Sequence, residues 1–206
     1  MRDFKEYTIL DAVTPVAVTS STDATPIVVT ATAHGRSTGD LVLIYGHTTN
    51  IAANGVFRIT KVNDNSFQLQ DKDSGADIVG TGGGAGSSGL VIPAPKIPLI
   101  NDFRNAVLAV LTSGTTTSTL KIAGANTGDS PNFGATVSAS NLYTFLQSIN
   151  LEDGSSVDGD TGIVVAGTDI VREYEVNINA MKYLTVFPIT WTQGAITVKL
   201  LLTSNQ

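Results

Sequence analysis

Between residues 26 and 70 the chain repeats one rhythm: short apolar or alternating runs, cut by Asn, Asp and Gly. Ile27, Val28 and Val29 lead a β-branched run, residues 34–40 form a turn cluster around Gly35 and Gly39, and residues 41–45 are apolar throughout. Over residues 56–62, Val56, Arg58, Thr60 and Val62 point one way and Phe57, Ile59 and Lys61 the other. Residues 63–65 turn the chain, and Phe67 and Leu69 then alternate with Ser66, Gln68 and Gln70. Period-two runs separated by turn formers predict a β-meander or small barrel.

The same rhythm continues on both sides. Upstream, residues 7–10 and 16–19 are strand-like, with Pro15 marking a break. Downstream, residues 106–111, 119–123, 162–165, 173–178, 183–189 and 195–202 are candidate strands; in the fourth of these, Tyr174, Val176 and Ile178 share a face. Residues 190–194 (TWTQG) read as the turn of a terminal hairpin. In residues 142–151, Leu142, Phe145, Leu146 and Ile149 keep the spacing of a helix face. The segment is read as a strand because everything around it is β. Strands at this spacing predict an all-β chain whose larger part is a β-sandwich or jelly-roll-like domain.

Between the two regions lies DKDSGADIVGTGGGAGSSG, residues 71–89. Residues 76–79 could add one short strand; the Gly/Ser run after it offers few side chains to bury and reads as a linker. Pro93, Pro95 and Pro98 stiffen the exit. The first strand lacks a partner in the central module, so the expectation is a discontinuous sandwich (1–20 plus 93–206). A small β-barrel (21–79) is inserted into it, with 80–92 as the Gly/Ser/Pro-rich linker. Two domains in series behind an N-terminal arm is the competing arrangement.

Composition narrows the function classes. With 206 residues the chain can bury a real core. Only 15% of residues are charged, the net charge is −6, and Lys and Arg are scattered, which excludes a basic nucleic-acid footprint. With no cysteine there is neither a disulfide framework nor thiol chemistry. The N-terminal MRDFKEYTILD is too polar for a signal peptide, and no apolar run approaches the ~20 residues that span a bilayer.

Candidate chemistry is sparse. His34 and His47 are the two histidines, both in expected turns and without Cys or His partners at zinc spacing. The loop 152–160 (EDGSSVDGD) brings Asp153, Asp158 and Asp160 close together as candidate calcium ligands. The EF-hand pattern is not met, however, and turns select Asp and Gly in any case. Trp191, at the expected hairpin tip, could stack on a sugar or a partner surface, or fold back on the sandwich. There is no G-x-S-x-G elbow, and the glycine run at 80–86 lacks the lysine of a P-loop. No catalytic residue and no cofactor are expected.

The segments TAHGRSTGDLVLIYG and NGVFRITKVNDNSFQLQ resemble the FCCH-like β-barrel module of ubiquitin-activating enzymes as it recurs in tailed-bacteriophage structural proteins. His34-Gly35, Gly39-Asp40, Asn54-Gly55 and Asn65-Ser66-Phe67 carry the likeness, over about a quarter of the chain. LDAVT, FRNAVLAVLTSG, TLKIAG, SPNFGA, DGDTGIVVAGTD and the C-terminal REYEVNINAMKYLTVFPITWTQGAITVKL are similar to β-sandwich proteins of phage particles. The resemblance implies a non-enzymatic bacteriophage virion structural protein, released by lysis within the particle. Its expected role is a capsid decoration or head-fibre-type accessory protein that binds the major capsid protein or other virion proteins as a homo-oligomer. The alternative is a tail-fibre or baseplate component contacting a host surface glycan. Neither nucleic acid nor membrane is an expected partner.

Overall fold

The structure is a computed structural model describing residues 4–82, 88–126 and 131–204. It divides into two units: Met1–Thr14, Pro95–Pro131 and Leu142–Gln206 form the larger, Pro15–Ala94 and Asn132–Asn141 the smaller. Every regular element in the described residues is a β-strand, apart from one 3-10 turn at Ile51–Ala53. No helix among them is long and apolar enough to cross a membrane.

The chain opens with β1 (Phe4–Val13) in the larger unit and then enters the smaller. There it forms β2 (Val16–Ala17), β3 (Ser20–Ser21), β4 (Val28–Thr30), β5 (Leu41–Tyr45), β6 (Gly55–Asn63), β7 (Ser66–Asp71) and β8 (Leu90–Pro93). These run in the order β2-β8-β5-β6-β7-β4-β3, all antiparallel. The two ends of that list are one stretch of chain. Residues 16–18 bond to β8 and Gly89, residues 19–21 to β4, and this single bent segment closes the sheet into a barrel. Closure removes the open edges that would otherwise invite pairing with other chains. Alternation sends Val29, Val42, Ile44, Phe57, Ile59, Phe67, Leu69 and Val91 into a common core.

Three expected boundaries are corrected here. Residues 132–141, assigned to the sandwich, belong to the smaller unit. Residues 15–20, assigned to the sandwich together with the first strand, supply the barrel's closing strand. Residues 90–92, assigned to the linker, belong to β8, whose side chains Val91 and Ile92 are buried. Residues 76–79 are not a strand; Asp77 makes a single bridge to Gln70. Residues 83–87 of the expected linker lie outside the described residues.

The larger unit resumes with β9 (Asn105–Ser113), β10 (Thr115–Ala125), β11 (Thr144–Phe145), β12 (Ser148–Asn150) and β13 (Ser156–Val157). It ends with β14 (Ile163–Thr168), β15 (Val171–Asn177), β16 (Tyr183–Trp191) and β17 (Ala195–Thr203). One sheet runs β1-β17-β9-β15-β12-β13; in the other, β10 pairs with β16, β14 and β11. The first sheet buries Leu108, Val110, Val198 and Leu200 on one face; the second buries Leu120, Ile122, Val165 and Val186 on one face and, over β10 and β16, Ala123 and Phe187 on the other. Residues 142–151, expected as one strand, are β in two pieces: β11 pairs with β10 in the second sheet, and after residues 146–147 β12 pairs with β13 and β15 in the first.

The expected terminal hairpin does not form. β16 pairs with β10 while β17 pairs with β1 and β9, so residues 192–194 carry the chain from one sheet to the other. The links after β9 and β14 also change sheets, and these corners are laced together. Gly114 N–H donates to Asp169 Oδ1 at 2.8 Å, and Ile170 N–H to Thr112 Oγ1 at 2.9 Å. At the third corner Gly194 sits at φ +80°, where an added Cβ would stand 2.1 Å from Thr116 Oγ1. One end of the sandwich is therefore tied. The other, where β9 begins and β15 and β17 end, is the end at which loops can open a cleft.

Candidate functional site

The barrel residues singled out by sequence are committed to the barrel's own bonds. His34 is 2% exposed; its Nδ1 accepts the Arg36 N–H at 3.0 Å, so its Nε2–H donates to the Asn63 carbonyl, also at 3.0 Å. Its ring meets Phe67 edge-on. Asp40 Oδ2 accepts the Ser37 N–H, closing a turn, and Asn65 Oδ1 accepts the Ala33 N–H, tying one turn of the barrel to another. Asn54 accepts the His47 N–H at 2.8 Å and donates to the His47 carbonyl at 2.7 Å. Gly55, at φ +135°, lies where a Cβ would strike the side chain of Asn132, which accepts the Val56 N–H. An Asn-Gly pair is what this corner demands.

His47 also forms a contact that sequence did not disclose. The Ser21 hydroxyl donates to His47 Nε2 at 2.7 Å, while Nδ1–H donates to the Ser88 carbonyl at 3.0 Å. A serine within hydrogen-bond reach of an imidazole is the start of a nucleophile–base pair. Here both residues are buried, at 4% and 1% exposure, and a carbonyl stands where a carboxylate would orient and stabilise the imidazolium. Thr49 Oγ1 takes the remaining approach to Nε2 at 3.3 Å. With Asn54 clamping its backbone, His47 ties three segments of the barrel together.

The acidic loop is spread out in a similar way. Asp153 follows β12; its Oδ1 accepts the Ser155 N–H at 2.8 Å. Asp158 follows β13; its Oδ1 accepts the Asp160 and Thr161 N–H groups at 2.7 and 3.3 Å. Hydrogen bonds from Ser155 hold the Asp153 carboxyl below the ordinary carboxylate range. Among the described residues no three His, Cys, Asp or Glu side chains are grouped to hold a metal. Trp191 ends β16 and is half-buried; its indole N–H donates to the Gly194 carbonyl at 3.0 Å, fixing the ring on its own corner.

At the open end of the sandwich the structure assembles residues that no motif linked. A cleft of about 450 Å³ is lined by Arg104, Asn105, Gln147, Ser156, Glu175 and Asn177, with Asn179 at its rim. Ile149 adds apolar surface. A second hollow of about 440 Å³, containing Asn101, Phe103 and Lys182, shares Arg104 and Asn179 with the first. Among the described residues the guanidinium of Arg104 makes no ion pair or side-chain hydrogen bond, and the carboxylate of Glu175 makes none either. Ser148, on the strand behind this wall, turns its side chain to the buried face of the sheet, and its Oγ has no hydrogen-bond partner among the described residues. Strand register builds this site: Asn105 stands opposite Asn177, and Ile149 opposite Glu175. The sequence signal was faint, consisting of polar residues at strand ends (FRN at 103–105, NINA at 177–180) separated by some seventy positions.

No family model matches the chain, and no curated protein matches it at a significant level. Among solved structures, the crystal structure of the SPBc2 prophage-derived protein YomS is similar in outline. Identity is 12% and the TM-score 0.43, with 99% of this chain and 96% of that one covered.

Proposed function

We propose that the chain is a non-enzymatic virion structural protein of a tailed bacteriophage, serving as a capsid decoration or head-fibre-type accessory protein. The observation that carries this is the use of the motif residues. His34, Asp40, Asn54 and Asn65, which resemble those of barrel modules in phage structural proteins, are all spent on turns of the barrel. The one serine–histidine contact is buried and lacks an orienting carboxylate. What the molecule offers outward is surface, including exposed apolar side chains on the strands of the sandwich such as Phe4, Val164 and Val171. Burying such side chains against a particle would stabilise both partners by mass action, and symmetric assembly follows from a symmetric lattice.

The test is binding of the purified protein to expanded, DNA-free heads. The expected result is saturable binding with a rise in the heads' melting temperature. Binding only to tails or to host cells would sink the decoration role. It would favour a second reading, a tail-fibre or baseplate component, for which the specific observation is the solvent-open polar cleft at Arg104.

A further inference from the structure

We propose that the cleft at the open end of the sandwich is a binding site for a neutral saccharide of the hexose class. Its volume, about 450 Å³, falls within the ~300–1,000 Å³ range of small-molecule sites. The lining carries one cation, Arg104, and one anion, Glu175, so its formal charge is zero and the guest with matching charge is uncharged. The remaining polar groups are the amides of Asn105, Gln147 and Asn177 and the hydroxyl of Ser156. Each amide presents a donor and an acceptor side by side, which suits a ring carrying adjacent hydroxyls that both give and take hydrogen bonds.

Two further features point to an occupant. Among the described residues Arg104 and Glu175 are strong hydrogen-bonding groups with no side-chain partner, although they line one cleft. Exposed Ile149 supplies apolar surface for the C–H face of a sugar ring. A phosphate or carboxylate guest fits worse, because it would face Glu175. An apolar guest would leave the amides unpaired, at a cost of about 1–3 kcal/mol per desolvated group.

The test is saturation-transfer NMR on the full chain with glucose, galactose, mannose and N-acetylglucosamine, with glucuronate as the charged comparison. At least one neutral sugar is expected to bind and to outcompete glucuronate. Arg104→Gln and Glu175→Gln are each expected to weaken that binding about tenfold or more at unchanged melting temperature, since both side chains are exposed and unpaired. Silence from all four neutral sugars, preference for glucuronate, or binding that survives either substitution would overturn the proposal. The measurement needs no particle, so its failure leaves the assembly role standing, and failure to bind heads leaves the cleft's ligand open to this test.

Discussion

Three single residues make separate predictions about stability. At Gly194 the backbone is left-handed and a Cβ would overlap Thr116 Oγ1. Gly194→Ala is expected to cost roughly 2–4 kcal/mol, several degrees of melting temperature at ~2–4 °C per kcal/mol for a chain of this size. Adding Thr116→Ala should return part of the loss, which a double-mutant cycle measures. At Ser21 the hydroxyl serves the buried His47. Ser21→Ala should cost about 1–2 kcal/mol; loss of some hydrolytic activity without loss of stability would instead make the pair catalytic. Asp71 is a pH-linked group, held below the ordinary carboxylate range by hydrogen bonds from the Ser74 N–H and hydroxyl. A depressed folded pKa gives stability that is present above the unfolded value of ~3.9 and is lost as pH falls through the folded value. Asp71→Asn should therefore flatten the acid limb of a melting-temperature profile. The effect should stay below about 1 kcal/mol, because the carboxylate is largely solvated.

At the scale of elements, the two units have separate cores, and the sole tryptophan, Trp191, reports on the larger. Phe67 is fully buried in the barrel, so Phe67→Ala should cost that unit about 3–5 kcal/mol. The expected outcome is an early transition by far-ultraviolet circular dichroism ahead of the Trp191 fluorescence transition. Equal shifts by both probes would contradict separate cores. The barrel was legible in the sequence because alternation at Phe57/Ile59 and Phe67/Leu69 marks an inside and an outside. The residues closing it were not: β2 and β3 are two residues each, and their role depends on partners seventy residues away on one side and nine on the other. β16 and β17 look like a hairpin because adjacent strands with a Gly turn usually pair. Nothing local announces that the turn changes sheets, since that choice is made by β10 and β9. The Arg104 cleft escaped for the same reason, as register brings its walls together and no motif does.

At the scale of the whole molecule, charge and chemistry point the same way. A net charge of −6 with scattered Lys and Arg gives no footprint for nucleic acid. The buried histidines act as ties within the barrel, and the carboxylates of the acidic loop cap their own turns. Calcium is accordingly expected to leave the melting temperature unchanged, and a rise of several degrees at millimolar calcium would restore the metal reading of Asp153, Asp158 and Asp160. The central claim is that this chain is a component of the virion. The most direct measurement is quantitative mass spectrometry of phage particles purified through a density gradient. The account predicts that the chain is retained at a copy number that is a multiple of the head's symmetry. Absence from purified particles, with the chain recovered only among the free proteins of the lysate, would contradict it.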